Sequence, residues 1–130
     1  MAIRVSRTRI DFGDIACSEA ELKDYSETVN ARGSVSGAQT IDYTLGSVVT
    51  ATATGDITWT VTNPPATTKT GSFTLILTNG GVGTMTWPSG TLWPSGTAPT
   101  LTASGTDVIT FFTINAGTNW RAVAAMIDSK

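Results

Sequence analysis

Ile57-Thr58-Trp59-Thr60-Val61-Thr62 alternates apolar and hydroxyl side chains without a break. Successive side chains of a β-strand point to opposite faces, so Ile57, Trp59 and Val61 share one face and three threonines the other. The reading is a half-buried strand. Threonine is β-branched and suits that setting. The chain has 25 threonines, 23 of them between Thr40 and Thr118, and 13 glycines that can supply turns.

Working outward, the same pattern repeats. Thr54-Gly55-Asp56 reads as a turn, with a strand over 48–54 before it that places Val49, Ala51 and Ala53 on one face. Residues 40–45 form another, with Ile41, Tyr43 and Leu45 together. Downstream, Asn63-Pro64-Pro65 ends the run, and 71–78 resumes it with Phe73, Leu75 and Leu77 inward. Asn79-Gly80-Gly81 predicts a hairpin into 82–87. Strands over 100–103, 107–114 and 119–126 follow, the last two each behind a glycine turn. The expected fold class is all-β: an antiparallel β-sandwich or jelly roll of about eight strands, preceded by an N-terminal arm and one short helix.

One stretch stands apart. Trp87-Pro88-Ser89-Gly90-Thr91-Leu92 is followed at once by Trp93-Pro94-Ser95-Gly96-Thr97-Ala98. Proline fixes φ and glycine admits positive φ, so each copy predicts a turn with an aromatic ring beside it. Trp87 and Trp93 either cap an open end of the β-structure or present a ring to a partner, glycan or protein. Trp120, at the start of the last strand, is a third candidate contact. Trp59 and Phe73 alternate as core residues.

Charge divides the chain. Residues 1–32 hold 11 of the 18 charged side chains, and the boundary falls in Gly33-Ser34-Val35-Ser36-Gly37, which has the composition of a flexible linker. We therefore expect an attachment or oligomerisation segment at 1–36 and a β-domain at 37–130. Arg4, Arg7 and Arg9 make a basic arm. It is either a solvated terminal strand or a strand that docks on an acidic neighbouring subunit. A helix is expected next. Ser18 and Glu21 form a capping box, Glu19 can pair with Lys23, and Gly33 is a natural stop. Ile15, Leu22, Tyr25 and Val29 would lie on one face of it. They form either a helix seam between copies of the chain or a face docked on the chain's own β-domain.

The chemistry available is limited. There is no histidine, and Cys17 is the single cysteine, so neither an imidazole base nor an internal disulfide nor a cysteine zinc site can be built. Two carboxylates could still make a glycosidase; Asp42, Asp56, Asp107 and Asp128 are the candidates in the β-part. Aspartates at strand entries more commonly stabilise turns. Gly80-Gly81-Val82-Gly83 precedes a strand rather than a helix and matches a phosphate loop poorly. We expect no catalytic residue, no metal and no cofactor. A net charge of −2 argues against a nucleic-acid partner, and no apolar run is long enough to insert in a membrane. The N-terminus lacks the apolar core of a signal peptide, which points to synthesis in a cytoplasm.

From Asp24 onward the chain resembles a module of tailed-bacteriophage tail-fibre and related virion proteins. The resemblance rests on Asp24-Tyr25-Ser26-Glu27-Thr28-Val29-Asn30, Thr58-Trp59-Thr60-Val61-Thr62-Asn63-Pro64-Pro65 and Gly71-Ser72-Phe73-Thr74-Leu75-Ile76-Leu77-Thr78. It continues through Thr84-Met85-Thr86-Trp87-Pro88, Leu92-Trp93-Pro94, Gly96-Thr97-Ala98-Pro99-Thr100-Leu101 and Asp107-Val108-Ile109-Thr110-Phe111-Phe112. It implies a non-enzymatic, homotrimeric β-domain on the outside of a virion, assembled in the host cytoplasm beside other tail or capsid proteins. Only about 36 residues precede the β-domain, too few for a long shaft. A capsid decoration (cement) protein and a receptor-recognition module for a host surface glycan are the alternatives.

Overall fold

The alternation at 57–62 forms a strand, but one longer than its six residues. The structure is a computed structural model that describes residues 16–130 and the backbone of two short strands ahead of them, β1 (Arg4–Val5) and β2 (Ile10–Asp11), paired antiparallel. The principal sheet has seven strands: β3 (Val29–Asp42), β4 (Val48–Thr62), β5 (Gly71–Thr78), β6 (Met85–Thr86), β7 (Thr91–Leu92), β8 (Thr106–Thr113) and β9 (Trp120–Ser129). Their order is β3-β4-β5-β8-β9-β7, with β6 also paired to β4.

The all-β class stands; the antiparallel arrangement does not. Only β5–β8 and β8–β9 are antiparallel within this sheet, whereas β3–β4, β4–β5, β4–β6 and β7–β9 are parallel. Val29 lies opposite Val48 and Ile41 opposite Val61. Val48 in turn lies opposite Thr74, and Ile57 opposite Met85. Three lengths of chain therefore run the same way, each beside the last.

Reach shows that these rungs are bent. A flat strand from residue 29 to 42 would span about 43 Å. The connection 43–47 can return the chain across only about 20 Å, yet it delivers Val48 beside Val29. So β3 and β4 must curve back, and the register irregularities mark where. Pairing slips between Ala31 and Ser34 and again between Val35 and Gly37, at Gly33 (φ 69°) and Gly37 (φ 70°). The segment expected to be a linker is thus the bend of β3, and the 36/37 boundary lies inside a strand. The bends stack. A Cβ on Gly83 would run into the Gly55 backbone, the Ile57 amide donates to the Thr84 carbonyl at 3.0 Å, and the Thr84 amide donates to Asp56 Oδ1 at 2.7 Å.

The expected faces are otherwise correct. Val49, Ala51, Ala53, Ile57, Trp59, Phe73, Leu75 and Leu77 are all buried, joined by Ile41, Ile109, Phe111 and Trp120. Full burial of each of the valine, leucine, isoleucine and phenylalanine side chains contributes roughly 1.5–3 kcal/mol, and of each alanine less. Val61 and Tyr43 pack on this cluster half-buried, while Leu45 is exposed. Asn79-Gly80-Gly81 makes no hairpin. The Gly81 amide donates to the Thr102 carbonyl and the Asn79 amide to Gly105, so the chain turns a corner and continues parallel to β4. Residues 100–103 are not a strand; they supply the acceptors for that corner.

β3 is the edge of the sheet. A free edge exposes unpaired carbonyls. Arg32 Nη1 donates to the Thr40 carbonyl at 2.7 Å and Gln39 Nε2 to the Ser36 carbonyl at 2.8 Å, so the strand's own side chains occupy two of them.

The expected helix is absent. Residues 16–28 contain no helix, and Glu19 (φ 56°) and Asp24 (φ 58°) are left-handed, which breaks any helix through them. Caps lower the cost of helix ends, but a helix this short needs a face to bury. Leu22 and Tyr25 are 72% and 70% exposed, so no such face is provided.

Candidate functional site

The most distinctive side-chain cluster is aromatic, and the Trp-Pro doublet completes it. Phe73 on β5 and Phe111 on β8 are register partners whose rings stack at 4.7 Å. Trp120 on β9 meets Phe73 edge-on at 5.2 Å. Trp87 and Trp93 lie against the same cluster, their centroids 5.9 Å and 6.0 Å from Phe111 and 5.2 Å from each other. Each aromatic pair adds about 0.5–1.5 kcal/mol beyond its buried area.

Turn chemistry holds these rings. The Thr91 amide and hydroxyl both donate to the Pro88 carbonyl, and the Trp120 amide donates to the Gly90 carbonyl. That last bond feeds β7 into its parallel pairing with β9. In the second copy, the Gly96 amide donates to the Trp93 carbonyl and Thr97 to Pro94, a local turn over Pro94–Gly96.

Trp87 also forms one wall of an open cleft of about 270 Å³. Gly80, Gly81, Gly83 and Met85 line one side, and Pro99 and Leu101 the other. No carboxylate, amine, thiol or imidazole lines it. The arrangement offers an apolar ring, small residues, a threonine hydroxyl and backbone polar groups. It can hold a flat or apolar surface, and Thr100 supplies the one side-chain hydroxyl among the lining residues.

The other candidates are dispersed. Trp120 is 2% exposed and belongs to the core, so it presents no ring to a partner; its register opposite Thr91 places it under the doublet. Trp87 and Trp93 are half-buried and so serve the core while keeping an exposed edge. Arg4 falls in β1, where only the backbone is described, and Arg7, Arg9 and Ile15 lie outside the described residues. Leu22 and Tyr25 lie exposed on an irregular segment, and Val29 opens β3. The helix on which they were expected to share a face, whether as a seam between copies or docked on the β-domain, is not formed among the described residues, and Leu22 and Tyr25 are not docked on the β-domain.

The aspartates fill structural roles. Asp56 binds the neighbouring corner, as above. Buried Asp107 accepts from the Thr102 amide and hydroxyl at 2.7 Å and from the Asp128 amide at 3.0 Å. Asp42 accepts from Asn63 Nδ2 and from the Thr44 hydroxyl and amide. The Asn63 bond, then those from Thr44, hold its carboxyl below the ordinary 3.8. Among the described residues no group of His, Cys, Asp and Glu could hold a metal, and no helix is long and apolar enough to cross a membrane.

Sequence reading passed over the glycine side of the cleft. Its signal was Gly80-Gly81-Val82-Gly83, which is a corner of the sheet and neither a hairpin nor a phosphate loop. Compared with known proteins, the chain matches no family model, no curated protein and no solved structure at a significant level.

Proposed function

We propose that the chain is a non-enzymatic structural protein of a tailed-bacteriophage virion. In this reading a sandwich-like β-head is displayed on the particle surface as a homotrimer, and the N-terminal segment attaches it. The observation that carries it is the contrast between segment and head. Leu22 and Tyr25 stand 72% and 70% exposed in a charge-rich segment with no core of its own, next to a head that is well packed and poor in charge. Exposed apolar residues gathered in one segment mark an interaction site. The class of particle rests on the resemblance to tail-fibre modules.

The test is Leu22→Ser with Tyr25→Ser in the full chain. Particle binding should fall at least tenfold while the melting temperature stays within about 2 °C, since neither side chain touches the core. Unchanged particle binding would sink the attachment role. Many copies on the head rather than the tail would make it a decoration protein.

A second reading has one observation in its favour, the cleft beside Trp87. A ring wall over small residues suits the apolar face of a sugar. Titration with host surface polysaccharides should then quench tryptophan fluorescence in the wild type and not in Trp87→Phe. No response across the panel would remove this reading.

A further inference from the structure

Asn79-Gly80 joins a side-chain amide to a backbone nitrogen that can attack it. Glycine has no Cβ to shield its nitrogen and lets the backbone rotate toward the asparagine side chain. In an open chain the pair therefore reacts. The Gly80 nitrogen gives its proton to solvent and bonds to Asn79 Cγ. The bond from Cγ to the side-chain nitrogen breaks, and that nitrogen leaves as ammonia. Water then opens the five-membered ring at either carbonyl. The product is an aspartate, or an isoaspartate with one extra methylene in the main chain.

The folded corner forbids that attack. Peptide planarity leaves ψ alone to set where the Gly80 nitrogen lies relative to Asn79 Cβ. Ring closure needs the two eclipsed across the Cα–C bond. Asn79 is left-handed, at φ 57° and ψ 32°, which puts them nearly opposite. Both ends of the residue are tied. Its amide donates to the Gly105 carbonyl at 2.7 Å, and its carbonyl accepts from the Val82 amide at 3.1 Å. Gly80 is buried, and a Cβ on it would lie 2.8 Å from Leu101 Cδ1 and 2.9 Å from Leu77 Cδ2. The glycine therefore cannot swing without displacing packed side chains.

We propose that Asn79 is a modification site gated by the fold. It keeps its amide while the corner at 79–83 is shut, and it is converted to isoaspartate or aspartate when that corner opens. Opening can be local, because the corner is tied to the irregular stretch 100–105 rather than by a rung of the sheet. Conversion to isoaspartate is one-way. The extra methylene separates the amide bonded to Gly105 from the carbonyl bonded to Val82, so the two bonds no longer form together. Gly80, Gly81 and Gly83 also make one side of the cleft beside Trp87, so conversion distorts that wall as well. The inference concerns the β-head alone and does not depend on a virion.

The test is peptide mass spectrometry on the purified full chain, held at mildly alkaline pH in native buffer and, in parallel, in urea that unfolds it. Trypsin releases the peptide Thr70–Arg121, in which Asn115 and Asn119, followed by alanine and tryptophan, serve as internal references. In urea, Asn79 should convert to the acid well ahead of both references. In native buffer its conversion should be slower by roughly tenfold or more. Leu101→Ala, confirmed as folded by its urea transition, removes the side chain over Gly80 and should speed conversion severalfold in native buffer but not in urea. Equal conversion of wild-type Asn79 in native buffer and in urea overturns the proposal. So does an Asn79 that converts no faster than Asn115 and Asn119 in urea, or a folded Leu101→Ala chain that converts no faster than the wild type. If Leu101→Ala does not fold, the wild-type comparison decides by itself.

Discussion

The two copies of the Trp-Pro hexapeptide share five of six residues and differ in what surrounds them. In the first, Pro88 is buried, Gly90 sits at φ 77°, and a Cβ there would collide with the Thr118 carbonyl. In the second, Pro94 is exposed and Gly96, at φ 73°, has nothing within 4 Å. Both glycines adopt left-handed backbone, but Ser95 does so as well (φ 54°) and its counterpart Ser89 does not, so one local sequence takes two turn conformations. Only the first copy is built into the sheet, through the Gly90 carbonyl and the β7–β9 pairing. A repeated motif therefore fixes neither one shape nor one role by itself. The neighbours assign the role.

That contrast can be broken most directly at the glycines. Gly90→Ala should destabilise by roughly 3–5 kcal/mol, from about 1–2 for left-handed backbone and the rest from overpacking. Gly96→Ala meets only the first cost. Equal losses in urea unfolding would mean that the first copy is no more embedded than the second.

The rings should behave alike. Both tryptophans are half-buried against Phe111, so Trp87→Ala and Trp93→Ala should each cost about 2–3 kcal/mol, below the range for fully buried aromatics. A free Trp93 with no effect on stability would turn it into a contact residue.

The prolines should separate again, by less. Pro88→Ala should cost about 1 kcal/mol through lost packing, whereas Pro94→Ala should stay within about 0.5 kcal/mol.

Acid gives the smallest effect and a control. Asp42 titrates below 3.8 when folded and near it when unfolded. The unfolded chain then binds more protons, so this contribution is complete above 3.8 and is lost as pH falls through the lower folded value. Asp42 lies away from the doublet, linked to Asn63 and Thr44. The difference between Gly90→Ala and Gly96→Ala should therefore be the same at neutral pH and at acid pH. A pH-dependent difference would show that the two sites are coupled.

What could be read from the chain follows the range of the interaction. Period-two alternation is local, so Ile57, Trp59, Phe73, Leu75 and Leu77 were placed on the core side correctly. Register is not local. Nothing in 29–42 announces that it will lie parallel to 48–62, because that depends on bends whose glycines equally suit a linker. The capping box at Ser18 describes a helix end and says nothing about whether a face exists to bury Leu22. Asn79-Gly80 favours a tight turn, but the chain at 101–105 captures the amides a hairpin partner would have used. At the site, the doublet's rings were legible, whereas Trp120 was misplaced because a strand's first residue can face either way. The glycine wall of the cleft is made by a corner, and corners arise only from stacking.

The central proposal is that this chain belongs to a phage particle. Peptide mass spectrometry on gradient-purified phage particles from the source of this sequence measures this directly. The account predicts that peptides of this chain co-sediment with the capsid at a fixed copy number, in multiples of three. Recovery of the chain only in the soluble fraction, with none on the particles, would contradict it.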